Sequence, residues 1–438
     1  MGEIIDYFAI GQQITNAIIK GVIWAAKGGI WAGKAVYSHN KIRQDDEEYH
    51  NYERYMKDPY PPELLHSAAK NGIFFGSKYG RYIRKPENQD GHVLVIGGTG
   101  SGKTSCIAIP TLCAWKGRVF AIDIKGELYA KSRDFRGNIK VMSPTEAKEP
   151  FWTESAQNLL TAALLYQYKA SPFLSAIDWV LTTPKDKLVE TLYRSENIAV
   201  RSYISAFVGM SAETFSGIYA ELQRHIIIFS ADTSLRAFLS KKVTATPADL
   251  EQGFDIYLNI PEHLLSQWKN FLTLIVNQFL NFFERRSDTN TTPILFLLDE
   301  FPRLGRIPAI QNGLATLRSR KVTICLILQN IAQLNAIYGH EHTNVILGNC
   351  DYKAVLDASD YDTQKYLSAL CGTYLKRMAN SGYQTPLPTG VNEGASQQYA
   401  PIIQEHEFGT MRDIVLISPL GKNTAFCRVE KRPWYAEK

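Results

Sequence analysis

Residues 92–105 read HVLVIGGTGSGKTS, an apolar run that leads into a glycine-rich turn and a Lys-Thr pair. The eight residues from Gly97 to Thr104 fit the pattern GxxxxGK[ST]. The β-branched run before the turn predicts a strand, and Ser105–Leu112 after it predicts a helix. This strand–turn–helix context is the one that the motif requires, so the stretch predicts a phosphate-binding loop at the end of a buried strand.

Residue types in this loop suit the binding of nucleotide phosphates. Glycines let backbone N–H groups curl around the phosphates, and the following helix adds the positive end of its dipole. Lys103 is predicted to neutralise the β- and γ-phosphates, and Thr104 to offer its hydroxyl to Mg²⁺. With strand, turn, Lys and Thr in place, a phosphate loop is favoured over a glycine turn without a ligand. The predicted nucleotide-binding residues are Gly97, Gly98, Thr99, Gly100, Ser101, Gly102, Lys103 and Thr104.

Two adjacent carboxylates follow a second apolar run. Residues 294–298 (ILFLL) predict a buried strand, and Asp299 and Glu300 come directly after it. A carboxylate beside a phosphate loop can hold Mg²⁺ through water, and a second one can polarise the attacking water. We therefore predict Asp299 as a Mg²⁺ ligand and Glu300 as a general base. A merely solvated pair at a strand end is the weaker alternative.

Gln329 and an arginine are the remaining candidates for this site. Residues 322–328 predict a strand that ends at Gln329, whose amide can sense a γ-phosphate and report it to a neighbouring subunit. Residues 308–320 predict a helix that Arg318 and Arg320 close. An exposed arginine there can reach the nucleotide of a neighbouring subunit. The alternative is a helix-terminal charge at the favourable end of the dipole.

The bulk composition is that of an ordinary globular protein. The 438 residues are 45% hydrophobic and 21% charged, which leaves room for two or three domains. There are 48 Lys and Arg against 43 acidic residues, and the net charge of +5 permits nucleic-acid contact without proving it. The six cysteines include no CxxC pair, which favours buried reduced thiols over a disulfide framework or a zinc site.

The apolar pattern also predicts the domain organisation. From about residue 91 onward, short β-branched runs that are buried on both faces indicate a parallel sheet covered by helices. Strand signals vanish in the Leu- and Ala-rich stretch that follows and resume at 255–260, which predicts an all-helical insertion. Residues 376–400 are polar and predict a mobile loop. Four segments are predicted: an amphipathic amino-terminal segment (1–45), the first part of a nucleotide-binding domain (46–151), the all-α insertion (152–252) and the second part of the nucleotide-binding domain (253–438).

The amino-terminal segment differs from the rest of the chain. Lys20, Lys27 and Lys34 recur every seven residues and share one face of a predicted helix. No run of about 18 uninterrupted apolar residues occurs, so the sequence does not predict a simple membrane span. A basic amphipathic helix on an anionic membrane surface and a helix that packs on the body or on a partner protein are equally compatible with the pattern.

Several further runs resemble one family, the coupling proteins of type IV secretion systems, which are conjugative DNA-transfer ATPases. The specific runs are DIKGE at 123–127 and LLDEFPRLG at 297–305. DIYLNIPEHLL at 255–265 and LILQNIAQLNAIYG at 326–339 also match. The order and spacing fit from about residue 72 to the end of the sequence, whereas the phosphate loop alone would not select this family.

The resemblance implies a fold, cofactors and partners. It implies an α/β fold, a RecA-like P-loop ATPase domain with an inserted all-α domain, that assembles as a homo-hexameric ring around a central channel. ATP and Mg²⁺ are the implied cofactors, and relaxase-bound single-stranded DNA, effector proteins and secretion-channel components are the implied partners. By motif position Lys103, Thr104, Asp299, Glu300 and Gln329 carry over, and Arg318 carries over as the trans-acting arginine with Arg320 as runner-up.

One departure from the family bears on location. Its members usually begin with two membrane-spanning helices, which this sequence does not predict. We therefore expect a protein of the bacterial cytoplasm that associates peripherally with the inner membrane, through residues 1–40 or through a membrane-protein partner.

Two alternative functions stay open. One is an ATP-binding receptor that docks substrates with little turnover, and the other is a related chromosome or phage DNA-packaging motor. The complete set of Lys103, Glu300 and Gln329 favours turnover, and the DIKGE and LLDEFPRLG runs favour a coupling protein over a packaging motor.

Overall fold

The computed structural model describes most of the chain. The described residues are His50, 52–53, 56–59, Pro61, Leu65, 71–142, 154–168, 173–240, 245–290, 292–381, 393–419 and 426–437. The predicted amphipathic segment 1–45 lies outside them. In the part of the chain that is described, no helix is both long enough and apolar enough to cross a membrane.

The strands of the described residues form a central sheet and two hairpins. In chain order the strands are β1 (Ile73–Lys78), β2 (Arg81–Lys85), β3 (Val93–Ile96), β4 (Arg118–Asp123), β5 (Ile139–Met142), β6 (Asp255–Asn259), β7 (Ile294–Leu298), β8 (Val322–Leu328), β9 (Tyr352–Val355), β10 (Thr373–Ser381), β11 (Glu393–Pro401), β12 (Ile414–Ile417) and β13 (Phe426–Val429). β1 pairs with β2 and β10 pairs with β11, both antiparallel. The other nine strands make one sheet.

The central sheet is mainly parallel. Its strand order is β13-β12-β9-β3-β8-β7-β4-β6-β5, and every pair from β9 to β5 is parallel. β12 is antiparallel to both of its neighbours. Every residue of β3, β7 and β8 is buried, as expected where helices cover both faces of a sheet. The prediction of a helix-covered parallel sheet is confirmed.

Helices connect the strands and cover the sheet. In chain order the described α-helices are α1 (Ile109–Ala114), α2 (Glu127–Ser132), α3 (Glu154–Gln167), α4 (Phe173–Thr182), α5 (Lys185–Tyr193), α6 (Ile198–Ile204), α7 (Ala212–Ala231), α8 (Thr233–Ser240), α9 (Pro247–Glu251), α10 (Leu265–Phe283), α11 (Ala309–Thr316), α12 (Ile331–Tyr338), α13 (His340–Asn349) and α14 (Tyr361–Cys371). The long helix α10 packs on the sheet, where the Phe279 and Phe120 rings lie 4.4 Å apart.

Helices α3 to α9 lie between β5 and β6, and the described residues from 154 to 251 contain no strand. The fold class, α/β with inserted helices, is therefore confirmed. The boundaries drawn at residues 45, 151 and 252 stay predictions. Within the insertion the buried Tyr219 hydroxyl donates to the carbonyl oxygen of Val180 at 2.8 Å and so ties α7 to α4.

The prediction of a mobile loop at 376–400 is wrong for its described ends. β10 and β11 pair from Thr373↔Pro401 to Ser381↔Glu393, which leaves only residues 382–392 outside the description. In an antiparallel ribbon one face can remain in contact with water, so its strands need no continuous apolar run. Polar composition therefore predicted a loop where the chain forms a hairpin.

A buried ion pair fixes the strands that border the candidate site. Arg136 donates to Asp255 at 2.8 Å, and both side chains are almost fully buried. Arg136 also donates to the carbonyl oxygen of Gly117 at 2.6 Å, and Asp255 accepts from the Val119 N–H at 2.9 Å. Because Asp255 begins β6 and Val119 lies in β4, these charge-assisted bonds set the relative position of the two strands. The carboxyl ends of the same strands lie beside the site.

Candidate active site

The candidate site lies at the edge of the sheet where parallel strands end. Gly97 follows β3, Asp299 follows β7, Gln329 follows β8, and Asp123 is the last residue of β4. These four strands are parallel neighbours in the order β3-β8-β7-β4, so their carboxyl ends meet at one edge. Open α/β sheets bind ligands at this edge. The fold therefore brings together residues that the sequence separates widely.

The phosphate loop turns sharply from β3 into a helix. Gly100 and Gly102 have φ angles of 79° and 98°, a region that residues with a Cβ rarely adopt. After Gly102 the chain forms a π-helical segment, Lys103–Ala108, which continues into α1. The predicted helix after the loop is therefore present and begins at Lys103.

Close contacts explain two more glycines of the loop. A Cβ on Gly97 would lie 2.4 Å from the Ser101 hydroxyl oxygen. A Cβ on Gly98 would lie 2.9 Å from a carboxylate oxygen of Asp357, which follows β9. Either distance is shorter than a van der Waals contact, so a larger residue at Gly97 or Gly98 would force the Ser101 or the Asp357 side chain to move.

Lys103 lies inside the loop. Its ammonium donates to the carbonyl oxygens of Gly97 at 2.6 Å and Gly98 at 3.0 Å, and its side chain is buried. Burial lowers the pKa of Lys103, while the charges of Glu300 and Asp299 act in the opposite direction. The cation thus lies under the electrostatic influence of the two predicted catalytic carboxylates.

The loop has the donors that a phosphate group needs. The Ser101 hydroxyl oxygen is buried and has no hydrogen-bond partner among the described residues. Such a buried polar atom is costly unless a ligand or water satisfies it. Together with Lys103 and the glycine backbone, it fits a phosphate in the turn.

Asp299 and Glu300 form a crowded pair of carboxylates. The Glu300 N–H donates to Asp299 Oδ1 at 3.0 Å. Burial, and after it the charge of Glu300, raises the pKa of Asp299 to about 6. Glu300 has a φ of 48°, a left-handed conformation that costs roughly 1–3 kcal/mol in a residue other than glycine. The pair fits Mg²⁺, a cation that prefers oxygen ligands and would relieve this repulsion.

Gln329 connects β8 to the Asp299–Glu300 pair. Its side-chain amide donates to Glu300 Oε2 at 3.3 Å. The structure therefore places the predicted γ-phosphate sensor in contact with the predicted general base. The two residues come from neighbouring strands, β8 and β7.

The structure places Arg318 at the amino ends of the parallel strands, opposite the phosphate loop at their carboxyl ends. Arg318 and Arg320 lie in a 3-10 turn that follows α11 and precedes β8. Arg318 donates to both carboxylate oxygens of Asp351 at 3.0 Å, just before β9 begins. Arg320 lies 3.8 Å from Asp288. Both arginines are therefore at the amino ends of the strands, and neither is placed to contact a nucleotide in its own phosphate loop.

Two acids at the carboxyl edge were missed by the sequence reasoning. Asp123 is buried at the end of β4 and accepts the Tyr129 N–H at 2.8 Å, and burial raises its pKa. Asp357 follows β9 and lies against Gly98. Each acid stands at or just after the end of a buried apolar strand, the same signal that identified Asp299. β9 reads YKAV, and its lysine interrupts the apolar run that would mark a buried strand.

Comparison with known proteins finds one family model and several relatives that match most of the chain. The family described as "Type IV secretory system Conjugative DNA transfer" matches residues 38–142 and 137–437. A probable conjugal transfer protein TraG of Sinorhizobium fredii is 25% identical over 378 residues, which cover 73% of this chain and 58% of that protein. Protein VirD4 of Agrobacterium fabrum is 23% identical over 390 residues, which cover 77% and 58%. The aligned region thus spans 58% of the length of these two relatives.

Solved structures share the fold. The bacterial conjugative coupling protein TrwBdeltaN70 aligns with a TM-score of 0.59 at 14% identity, over 86% of this chain and 90% of that one. TrwB in complex with ADP and Mg²⁺ aligns with a TM-score of 0.56 at 14% identity, over 85% and 91%. At such identity the likeness concerns the fold, and it confirms the predicted RecA-like P-loop architecture.

Asp299→Asn is expected to stabilise the nucleotide-free protein at pH 8, by at most about 3 kcal/mol. The pKa of Asp299 is raised from 3.8 to about 6 in the folded state, so ionisation costs more there than in the unfolded chain. This cost is fully present above about pH 6 and disappears as the pH falls toward 3.8. Asparagine cannot ionise, so the gain in the free energy of unfolding over the parent shrinks in acid. Urea denaturation of both proteins at pH 8 and pH 4.5 measures this gain.

Asp134→Asn is the matched control, because Asp134 is 83% exposed and its ion pair with Arg133 is exposed too. Its stability is expected to change little at either pH. A variant Asp299→Asn that is no more stable than the parent at pH 8 would contradict a desolvated, crowded carboxylate at this position.

Proposed function

The chain belongs to the type IV secretory system conjugative DNA transfer family. We propose that it is an ATP-hydrolysing coupling protein that moves single-stranded DNA toward a secretion channel. One observation carries the proposal. Lys103, the Asp299–Glu300 pair and Gln329 meet at a single edge of the sheet. A P-loop motor needs these parts to bind and hydrolyse a nucleoside triphosphate.

ATP and Mg²⁺ are the proposed ligands of this edge. TrwB has been solved with the ATP analogue ADPNP and with ADP and Mg²⁺, which supports the same ligands here. The Ser101 hydroxyl and Lys103 fit the phosphates, and Thr104 and Asp299 would hold the metal ion. When bound, Mg²⁺ neutralises negative charge on the phosphates.

The chain's own residues then have defined tasks. Lys103 exchanges its bonds to the Gly97 and Gly98 carbonyl oxygens for bonds to phosphate. Glu300 accepts a proton from the attacking water, and its Oε2 also accepts a hydrogen bond from the Gln329 amide. Gln329 thereby links the end of β8 to the base that acts on the water.

The proposed substrates and partners follow from the family. They are relaxase-bound single-stranded DNA or effector proteins, and components of the secretion channel. The family description, conjugative DNA transfer in a type IV secretory system, and the name of the relative TraG, a probable conjugal transfer protein, support this assignment. A net charge of +5 is compatible with contact to a phosphodiester backbone.

A homo-hexameric ring is the proposed active state. Arg318 lies at the edge of the sheet opposite the phosphate loop, so it could serve only the site of a neighbouring subunit. Its ion pair with Asp351 is half-exposed and therefore weak enough to exchange for a phosphate. We propose Arg318 as the trans-acting arginine, with Arg320 as the runner-up.

The proposed location is the cytoplasmic face of the inner membrane, by peripheral attachment. The support is the sequence pattern of residues 1–40, which lies outside the described residues. Lysines near an anionic bilayer add on the order of 1 kcal/mol each, enough for reversible binding when apolar side chains also contribute.

Lys103→Ala is expected to abolish nucleotide binding, because the phosphates lose their main cation. Glu300→Gln is expected to bind ATP normally and to lose roughly 10²–10⁴-fold in turnover, because an amide cannot accept the proton. Single-stranded DNA is expected to stimulate the parent enzyme. Steady-state ATPase assays with and without DNA, together with equilibrium ATP binding, measure these effects.

Lys187→Ala, an exposed lysine on α5, is the control for loss of a positive charge and should match the parent. A Glu300→Gln protein that hydrolyses ATP at the parental rate would show that the general base is elsewhere. ATP binding without turnover, in the presence or absence of DNA, would instead support the docking-receptor alternative.

Arg318→Ala is expected to lower turnover by about 10³–10⁵-fold, as loss of arginine fingers does in other P-loop enzymes. Mixing it with Glu300→Gln should restore part of the activity. In mixed rings, an intact Glu300 from one variant meets an intact Arg318 from the other. The measurement is the ATPase rate of each variant alone and of their mixture.

Arg133→Ala removes an exposed arginine outside the site and serves as the control. Full activity of Arg318→Ala would exclude it as the trans-acting residue, and a loss confined to Arg320→Ala would transfer the role to Arg320.

Removal of residues 1–40 is expected to release the protein from anionic vesicles and to leave ATP binding intact. Co-sedimentation of the full chain and the truncated chain with vesicles measures attachment, and neutral vesicles are the control. If both forms pellet equally, or neither does, residues 1–40 are not the anchor, and a partner protein must supply attachment.

A further inference from the structure

Glu300 is held in a backbone conformation that the chain would not keep unaided. It is one of three described residues other than glycine with positive φ, at 48°. Residues in this region keep it only where surrounding contacts over-determine the local geometry. The contacts that hold the segment after Glu300 therefore matter for where its carboxylate points.

That segment begins as a tight turn and then loses its regular hydrogen bonds. The Arg303 N–H donates to the carbonyl oxygen of Glu300 at 2.8 Å, and the Gly305 N–H donates to that of Pro302 at 3.2 Å. Between this turn and α11, the Gly305 carbonyl and the Ile307 N–H have no partner within the loop. Buried backbone groups of this kind need partners from elsewhere.

Tyr338 supplies both partners. Its hydroxyl accepts the Ile307 N–H at 3.0 Å and donates to the carbonyl oxygen of Gly305 at 3.3 Å. Its ring stacks on that of Phe301, with centroids 5.9 Å apart and planes at 19°. Tyr338 and Phe301 are both buried. One side chain thus holds the segment at its beginning, next to Glu300, and at its end.

The position of Tyr338 is fixed by the helix that begins beside Gln329. The Asn330 side chain caps α12 by accepting the Gln333 N–H at 3.0 Å. The Ile331 N–H donates to the Thr363 hydroxyl at 3.0 Å, which ties the same end of the helix to α14. Gln329 therefore precedes this anchored helix and Tyr338 ends it.

Both ends of this element contact the Glu300 segment. Gln329 donates to the Glu300 carboxylate, and Tyr338 holds the backbone from Gly305 to Ile307. Together these contacts restrain Glu300 directly at its side chain and indirectly through the backbone that follows it.

We infer that Tyr338 is a positioning residue for hydrolysis, whose hydroxyl fixes the segment after Glu300 and so keeps that carboxylate directed at the attacking water. The inference rests on the proposed function, because it requires Glu300 to act as the general base. Tyr338 itself contacts neither the nucleotide nor the water.

Tyr338→Phe tests the inference, because it removes the hydroxyl and keeps the stacked ring. In the nucleotide-free protein the Ile307 N–H is expected to exchange with solvent deuterium roughly tenfold faster, since its acceptor is gone. The kcat for ATP is expected to fall about 10–100-fold, as for a displaced catalytic group. The dissociation constant for ATP should stay within about twofold of the parent, because the phosphate loop is untouched.

Tyr219→Phe is the matched control. It also removes a buried hydroxyl that donates to a backbone carbonyl, that of Val180, but within the inserted helices. Its kcat and the exchange rate of Ile307 should equal those of the parent. If Tyr219→Phe lowers kcat as much as Tyr338→Phe does, general destabilisation explains both results and the inference is wrong.

Two other outcomes would also overturn the inference. Tyr338→Phe could keep the parental kcat, or it could lose ATP affinity in proportion to kcat, as expected of a merely structural residue. If Tyr338→Phe does not fold, Phe301→Leu replaces it, since loss of the ring stack loosens the Tyr338 ring that carries the hydroxyl. In Phe301→Leu, faster exchange of the Ile307 N–H should come with a lower kcat, and faster exchange with a parental kcat would overturn the inference as well. Normal turnover by Glu300→Gln would instead defeat the proposed function and is a separate result.

Discussion

The parallel pairing of β3 with β8 and of β8 with β7 is the constraint on which the rest of the structure depends. Ile96 lies opposite Leu328, and Leu298 lies opposite Leu326, so all three strands end at nearly the same level. The Gly97 N–H donates to the Leu328 carbonyl oxygen at 3.1 Å and starts the phosphate loop from that level. A slip of the register by one residue would separate the loop from the carboxylates. It would also turn every side chain of the strand to the other face of the sheet.

This alignment also makes the nucleotide-free site electrostatically unfavourable. Asp299 and Glu300 are adjacent, the pKa of Asp299 is raised, and Glu300 has a strained backbone. Ser101 has a buried hydroxyl without a partner among the described residues. Phosphate and Mg²⁺ would relieve the carboxylate repulsion and satisfy the Ser101 hydroxyl, which is the usual exchange of stability for function at an active site.

Sequence reasoning found the features that follow from local pattern. β4, β6, β7 and β8 are long enough and buried enough to appear as apolar runs, and the phosphate loop has a strict spacing. The polar ribbon of β10 and β11 was missed because its strands carry no continuous apolar run and residues 382–392 separate them without a short hairpin turn signal. The contacts of Arg318 with Asp351 and of Tyr338 with Ile307 join residues about thirty positions apart through the tertiary fold, so no local pattern could reveal them.

In the proposed function, Arg318 and Lys103 lie at opposite ends of the strands and serve the sites of neighbouring subunits, and hydrolysis is coupled to movement of DNA. The most direct test is displacement of streptavidin from the end of a biotinylated single strand. The account predicts ATP-dependent displacement by the full chain and none by Glu300→Gln or with a non-hydrolysable analogue. ATP hydrolysis by the full chain without any displacement, or displacement that does not need hydrolysis, would contradict it.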